Sequence, residues 1–204
     1  AQRLAYPPVV GGGANGTVIH YSRMDEKLRS GDLLLVDAGA EFHGYCSDIT
    51  RTWPVEGRYS SAQREVYEAV LEAHEACIAR TKPSESISSL HALSVEVIAT
   101  GLRNLGVSTD SADWRRYYPH SLGHNLGLDT HDAALVPYSR PFVPGAVFTV
   151  EPGLYFPADA DVPPGLRGVG VRIEDDVVVT AGGADVLSKG VPVDPDEIEG
   201  IARD

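Results

Sequence analysis

Four acidic residues lie within or directly after apolar, β-prone segments, where a solvent-exposed carboxylate is not expected. Asp37 follows LLLV, Asp48 lies in SDITRT, Glu151 follows VFTV and Glu174 lies in VGVRIEDDVVV. An ionised carboxylate in such a strand costs free energy unless it is paired with a cation or coordinated to a metal ion. The acids are therefore candidates for a site, although an ion pair with Arg172 explains Glu174 alone equally well.

The first two acids are predicted to face each other across a hairpin. Residues 32–55 contain two β-prone runs around a turn-rich middle, which is typical of a β-hairpin. Asp37 and Asp48 are symmetric about a turn between Phe42 and His43, so they would lie opposite each other on one face. Because two like charges so placed repel each other, we expect a positive charge between them.

Three histidines lie close together in the segment HSLGHNLGLDTHD, at His120, His124 and His131. The spacing His-x-x-x-His would indicate a zinc motif on a helix, but the glycines of this segment and the proline before it make a helix unfavourable. On an extended segment His120 and His124 face the same way, and His131 can approach from beyond a bend. The segment is therefore predicted to line a site.

Together these residue types indicate metal chemistry. A set of four carboxylates and at least one histidine favours Mn²⁺ or Mg²⁺, with Zn²⁺, Co²⁺ or Fe²⁺ as alternatives through the histidine. Two divalent ions would balance four negative charges, and a metal pair can stabilise both the attacking and the developing oxygen in hydrolysis. The residues thus predict a metal-dependent hydrolase, but they do not identify its substrate.

The elements that must position these residues follow from periodicity and capping signals. Apolar residues at helical spacing predict a helix over 61–80, and Ser60 with Gln63 forms a capping box at its start. A second amphipathic helix is predicted over 87–102, and a short terminal helix begins at Asp194. Glycine- and proline-rich short strands are expected between the second helix and the terminal one.

The strand-then-acid pattern occurs twice in the chain. GDLLLVDAG at 31–39 resembles GAVFTVEPG at 145–153, since in both a glycine opens an apolar strand that ends in a carboxylate, with glycine two residues later. Each is followed by a further strand that carries a second acid, Asp48 or Glu174. The repeat predicts two related α/β halves placed face to face.

Composition excludes several classes of protein. The chain has 204 residues, enough for one domain, and 29 acidic against 17 basic residues give a net charge of −12. This charge argues against binding to nucleic acid or to anionic membranes, and no apolar run approaches the ~20 residues of a membrane span. The two cysteines, Cys46 and Cys77, form no disulfide framework, which favours a reducing compartment. The opening AQRLAYPPVVGGGANG, without Met, indicates a fragment of a longer protein.

At these residues the sequence resembles a known superfamily, the pita-bread metallopeptidases, which include methionine aminopeptidase, prolidase and Xaa-Pro aminopeptidase (aminopeptidase P). The residues that match its dimetal site in order are Asp37, Asp48, His124, Glu151 and Glu174. Their flanks look like the aminopeptidase P branch: DAGAEFHGYCSDITRTWPVEGRYSSAQREVYEAVLE, YPHSLGHNLGLDTHD, VFTVEPGLYF and GVGVRIEDDVVVT. Within that branch, GYCSDITRTWPV and GHNLGLDTHD look most similar to mitochondrial members, among them the intermediate-cleaving peptidase.

The resemblance implies an α+β, pita-bread (creatinase/aminopeptidase-like) fold with pseudo-two-fold halves. A curved antiparallel sheet would carry the helices on its outer face and the metal ligands on its concave face. The whole chain, 1–204, would form the catalytic domain, and the N-terminal domain of the family would be absent from it.

The resemblance also implies a role for each ligand. Asp37 would hold one metal ion, His124 and Glu151 would hold the other, and Asp48 and Glu174 would bridge the two. A water or hydroxide between the metals would be the nucleophile, and Glu151 would also shuttle a proton.

Further residues match the substrate site of the family. His20, His120 and His131 would orient the peptide and stabilise the tetrahedral intermediate, which gives them catalytic roles. Arg172 would steady a metal-binding carboxylate, and Tyr155 would line the substrate pocket together with His131.

The implied function is a metal-dependent aminopeptidase that removes one N-terminal residue from peptides or proteins, with Pro at the second position. It would use two divalent ions, Mn²⁺ first, with Zn²⁺ or Co²⁺ as alternatives. A mitochondrial processing aminopeptidase without a Pro requirement remains open, as does a prolidase-like dipeptidase, although the short interval from His124 to Glu151 favours aminopeptidase P. A non-catalytic binding module is disfavoured because all the ligands are present. The protein is expected in mitochondria or cytoplasm, as a homo-oligomer when full-length.

Overall fold

The predicted helices are present in the computed structural model, which describes residues 1–107 and 113–201, without the side chain of Asp113. The α-helices are α1 (Ser61–Arg80), α2 (Ile87–Asn104) and α3 (Pro195–Ile201), and 3-10 helices span Gly13–Thr17, Asp113–Arg116 and Pro164–Leu166. The capping box is confirmed, because Ser60 Oγ accepts from the Gln63 amide at 3.3 Å while Gln63 Oε1 accepts from the Ser60 amide at 2.9 Å. Asp194 caps the terminal helix as expected, accepting from the amides of its first turn.

The strands are short, and every pairing between them is antiparallel in the part of the chain that the structure describes. They are β1 (Arg3–Leu4), β2 (Val9–Gly12), β3 (Leu33–Ala38), β4 (Ala40–Phe42), β5 (Tyr45–Cys46), β6 (Ile49–Pro54), β7 (Val147–Val150), β8 (Gly153–Tyr155), β9 (Gly170–Arg172), β10 (Asp175–Val179) and β11 (Ala184–Val186). The orders are β1-β4-β5, β2-β3-β6, β11-β10-β7 and β8-β9. A bridge between Thr50 and Glu174 connects the first half to the second.

The long hairpin is confirmed, but its turn lies one residue later than predicted. Phe42 pairs with Tyr45, so the two-residue loop is His43–Gly44 and is not centred between Phe42 and His43. Both loop residues have positive φ angles, 50° and 86°. This is typical of a type I′ turn, whose twist matches that of the flanking strands.

The new register corrects the predicted facing of the two acids. Asp37 lies opposite Thr50, so the expectation that it lies directly opposite Asp48 is wrong. Because moving the turn by one residue shifts the pairing by two, Asp48 keeps its parity and stays on the same face, diagonal to Asp37. The acids therefore still share one face of the hairpin.

The two halves pack against one helical layer. β3 pairs with β6, and β7 pairs with β10, which is the repeated arrangement that the sequence predicts. Val171 and Ile173 lie in the apolar core with residues of α1 and α2, whereas the alternate side chains of Arg172 and Glu174 point to the other face. Among the described residues, no helix is long and apolar enough to cross a membrane.

Candidate metal centre

Four of the five predicted ligands meet in one buried cluster. One ligand atom each from Asp48, His124 and Glu174 lies within 4.8 Å of the others. His124 Nε2 is 3.4 Å from Asp48 Oδ2 and 3.5 Å from Glu151 Oε1. The cluster thus joins β6, the histidine segment, the end of β7 and the start of β10.

Asp37 joins this cluster through Tyr6 and Arg172. The Tyr6 hydroxyl donates to Asp37 Oδ1 at 2.5 Å and also contacts Asp48 Oδ1. Arg172 Nη2 donates to Asp37 Oδ2 at 2.6 Å. Burial and the two neighbouring carboxylates raise the pKa of Tyr6, which keeps its hydroxyl protonated as a donor. Tyr6 was not predicted as a site residue, because its segment is typical of a loop at a domain entry.

The acids of the second half have weaker donors. Thr149 Oγ1 donates to Glu151 Oε1 at 3.2 Å, and Thr50 Oγ1 donates to Glu174 Oε2 at 2.5 Å. Burial raises the pKa of Glu151 to about 7, although His124 and Arg172 lower it in part. Burial, followed by the charge of Glu151, raises the pKa of Glu174 well above its ordinary range. These carboxylates lie close together, and the nearby positive charges do not offset the cost of burying them.

The arrangement fits divalent cations. Carboxylate oxygens of both halves and one imidazole nitrogen converge on a common space, and this is the donor chemistry that Mn²⁺, Zn²⁺ and Co²⁺ accept. His124 Nδ1 lies 3.2 Å from the carbonyl oxygen of Asn125, which leaves Nε2 directed at the acids. A second interaction of this kind orients a metal-binding imidazole.

Arg172 serves both halves of the cluster. Besides Asp37, it donates through Nη1 to the Tyr155 hydroxyl at 2.9 Å and through Nε to Thr50 Oγ1 at 3.1 Å. Among the described hydrogen bonds none joins Arg172 to Glu174, which is reached through Thr50. The simple ion pair that could explain Glu174 is therefore not the arrangement found.

The three other predicted histidines lie around the cluster. The His131 ring is 4.2 Å from the His124 ring, centroid to centroid. His120 Nδ1 lies 2.8 Å from the Ser121 carbonyl oxygen, and its Nε2 lies 2.8 Å from the Tyr155 hydroxyl. Burial lowers the pKa of His120 to about 4, so the ring is neutral. Because a carbonyl only accepts, Nδ1 carries the proton and Nε2 accepts from Tyr155.

Two adjoining cavities open beside the cluster. One of about 660 Å³ is lined by Tyr6, Tyr21 and Met24 together with Asp37 and Asp48. The other, of about 600 Å³, is lined by groups that include His120, Tyr138 and Glu151. His20 and His131 line both cavities, so they lie at the boundary between the two.

A second polar cluster behind the site was not predicted. Asp175 accepts from Arg51 Nη2 at 2.8 Å and lies 3.0 Å from His74 Nε2 on α1. Burial would raise the pKa of Asp175, but His74 and Arg51 hold it below its ordinary value. Asp176 is also buried, and burial raises its pKa to about 7. Three consecutive acids in a β-prone run, EDD, were the available signal.

The sequence of the chain matches a described protein family. Residues 1–181 match the model of metallopeptidase family M24. The chain belongs to metallopeptidase family M24. Over 98% of its length the chain is 46% identical to the mitochondrial intermediate cleaving peptidase 55 of Arabidopsis thaliana, of which it covers 40%. Over 98% of its length it is 42% identical to the Xaa-Pro aminopeptidase of Escherichia coli, of which it covers 48%.

Solved structures of M24 relatives show the same fold. Zn-substituted E. coli aminopeptidase P in complex with product superposes with a TM-score of 0.94 at 42% identity, covering all of this chain and 48% of that one. Proline aminopeptidase P II from Yersinia pestis gives a TM-score of 0.94 at 43% identity, with coverage of 100% and 49%. The pita-bread fold is thereby confirmed. The chain spans less than half the length of each of these relatives.

Proposed function

We propose that this M24 protein is a metal-dependent aminopeptidase that removes a single N-terminal residue from peptides or proteins. The observation that carries the proposal is the convergence of acids from both halves and one histidine beside two cavities. Aminopeptidases among the similar proteins support the same activity. Pro at the second position is the default preference, since several of these relatives are named Xaa-Pro aminopeptidases.

Two divalent ions would be held by the predicted ligands. Asp37 would hold one, His124 and Glu151 the other, and Asp48 and Glu174 would bridge them. Mn²⁺ is proposed first because carboxylates dominate the donor set, with Zn²⁺ as the alternative that a Zn-substituted relative supports. When bound, such ions polarise a carbonyl and make a water nucleophilic at neutral pH.

The other residues would bind and orient the peptide. Glu151 lies 3.5 Å from His124 Nε2, and besides holding a metal ion it would accept and return a proton, as the resemblance implies. His20 and His131 lie at the boundary of the two cavities, where the scissile bond of a peptide that occupies both would lie. Neutral His120, fixed by Tyr155 and Ser121, would position the peptide without carrying charge.

A second candidate function is processing of protein N-termini without a Pro requirement. The 46% identity to a mitochondrial intermediate cleaving peptidase favours it. In that case bulky first residues such as Tyr or Leu would be removed without a following Pro. A mitochondrial location stays a prediction on the same basis, and homo-oligomer formation by the full-length protein stays a prediction from the family resemblance.

Peptide hydrolysis distinguishes these functions. Peptides that begin Xaa-Pro and peptides that begin with Tyr or Leu without Pro are incubated with the protein, with and without Mn²⁺, and the products are identified by mass spectrometry. Release of one residue, dependent on metal and lost in Glu151→Gln, is expected. Cleavage in mid-chain, or equal cleavage by Glu151→Gln, would contradict the proposal.

A further inference from the structure

The two halves separate immediately beside the predicted bridging acids. The Glu174 amide donates to the Thr50 carbonyl oxygen at 3.0 Å, as in an antiparallel ladder. The next pair in this register would be Asp48 with Asp176, but from Asp175 onward β10 pairs with β7 instead. The pairing of β6 with the residue before β10 is therefore the isolated Thr50–Glu174 bridge, and it ends where the site begins.

The carboxylate of Asp176 replaces the missing backbone partner. The Asp48 amide donates to Asp176 Oδ1 and Oδ2, at 3.2 Å each. Asp176 is only 4% exposed, and burying an acid costs free energy that an apolar residue would not incur. Its position indicates that the hydrogen bond to Asp48 is the reason for an acid here.

Arg51 also connects the two segments at the point where their backbone pairing ends. Its Nη1 donates to the carbonyl oxygens of Thr50 at 2.9 Å and Glu174 at 2.6 Å, the two residues of the last bridge. The guanidinium is 1% exposed, and Asp175 balances its charge. Arg51 thus ties the backbone of Glu174 to β6.

We propose that Asp176 and Arg51 are positioning residues that fix the backbone of Asp48 and Glu174 for metal binding. Neither residue is among those that line the two cavities, so each would act through the acid that it holds. The inference rests on the proposed function, because it takes Asp48 and Glu174 to be metal ligands. Partners of this kind typically change metal affinity by about 10- to 100-fold when they are removed.

Mn²⁺ binding to three variants tests the proposal. Asp176→Ala removes the acceptor for the Asp48 amide, and Asp176→Asn keeps one oxygen acceptor at the same place. Tyr67→Phe is the control for the loss of one partly buried hydrogen bond, since its hydroxyl donates to the Val193 carbonyl oxygen at 2.9 Å and not to Asp48 or Glu174. We expect at least about tenfold weaker Mn²⁺ binding in Asp176→Ala and at most about threefold in the other two.

A measurement on the metal-free protein separates positioning from general destabilisation. Exchange of the Asp48 amide hydrogen is followed by NMR in each variant. It should accelerate in Asp176→Ala relative to neighbouring amides, and it should be unchanged in Tyr67→Phe. If Asp176→Ala does not fold, Arg51→Lys takes its place, because lysine keeps the charge but cannot donate to both carbonyls in the same geometry.

The outcomes separate this inference from the proposed function. Wild-type protein that binds no Mn²⁺ would refute the metal site itself, and the positioning role with it. Wild-type binding with unchanged affinity in Asp176→Ala would overturn the inference alone. An equal loss in Asp176→Asn and Asp176→Ala would also overturn it, because the charge and not the acceptor would then matter.

Discussion

The two halves of the molecule repeat one strand pattern but surround their acids differently. In the first half, Asp37 and Asp48 share the Tyr6 hydroxyl, and Asp37 also receives the Arg172 guanidinium. The acids of the first half are thus contacted by a phenol and by a permanent cation, which comes from β9 in the second half.

Among the described hydrogen bonds, Glu151 and Glu174 of the second half accept from threonine hydroxyls only, and the His124 imidazole lies 3.5 Å from Glu151. The pKa values of Glu151 and Glu174 are raised there, because burial is not offset by a cation of comparable proximity. A repeated backbone can therefore carry two unequal sets of acids. The protein itself supplies donors and a positive charge to Asp37 and Asp48, whereas the negative charge of Glu151 and Glu174 requires a bound cation.

The largest effect is expected from replacing a predicted bridging acid. Glu174→Ala should lose most binding of both metal ions, and activity should fall by more than the roughly 10–100-fold typical of indirect partners. Asp37→Ala should keep the ion at the His124 side, because Asp37 is predicted to hold only the other ion. Metal content per chain, measured after dialysis, checks both variants. Wild-type stoichiometry in Glu174→Ala would make that acid a structural partner only.

A histidine outside the ligand set should change turnover and not metal content. His131→Ala removes a ring that lies 4.2 Å from His124 and lines both cavities. Turnover should fall by roughly 10²–10³, the range typical of losing one transition-state donor, while both ions remain bound. Measuring kcat and metal content on the same sample tests this role of His131. Loss of an ion from the variant would show that His131 is a metal ligand.

Without metal, the raised pKa values of the second-half acids should make the free energy of unfolding depend on pH. Since the pKa of Glu151 is raised from 4.5 to about 7, the folded chain retains a proton that the unfolded chain releases above about pH 4.5. The free energy of unfolding of metal-free protein should therefore fall between about pH 4.5 and 7, by on the order of 2 kcal/mol. The raised pKa values of Glu174 and of Asp176, the latter about 7, add to this fall. The pKa of His120, which burial lowers to about 4, opposes the fall over part of the same range, because the unfolded chain then binds a proton that the folded chain does not.

Urea unfolding across this pH range measures the effect. Addition of saturating Mn²⁺ is the control, and it should raise the stability most at neutral pH, where the acids bind metal without competition from protons. Metal-free stability that is constant or rises from pH 4.5 to 7 would contradict the assignment of the shifted acids.

The smallest effect is expected around Asp37 and Asp48, whose negative charges already have a donor and a cation from the protein. Tyr6→Phe removes the hydroxyl shared by Asp37 and Asp48, but Arg172 still contacts Asp37. Metal affinity should fall by about tenfold, the low end for an indirect partner, as calorimetric titration with Mn²⁺ would measure. A loss as large as that in Glu174→Ala would mean that the first half depends on Tyr6 and not on Arg172.

Local signals in the sequence were sufficient for most elements of the fold. The capping box and helical spacing predicted α1, and the repeated strand-then-acid pattern predicted the paired halves. The hairpin register was placed two residues out, because the type I′ turn depends on the positive φ of His43, which its residue type does not announce. The error left the shared face of Asp37 and Asp48 intact, since side-chain parity was preserved.

The site residues could be predicted where residue type and family resemblance indicated the same position. Residues that reach the site only through long-range contacts could not be predicted. Tyr6 reaches Asp37 and Asp48 from 31 and 42 residues away, and no periodicity marks it. Arg51 and Asp176 act on the backbone of other residues, across 123 and 128 positions of the chain. Such contacts depend on how the halves dock, which local patterns do not encode.

The most direct test of a shared dimetal site is anomalous diffraction from crystals grown with Mn²⁺. The account predicts two Mn²⁺ peaks per chain in one site, with Asp37 at one peak, His124 and Glu151 at the other, and Asp48 and Glu174 contacting both. A single peak, or ions bound away from these five residues, would contradict it.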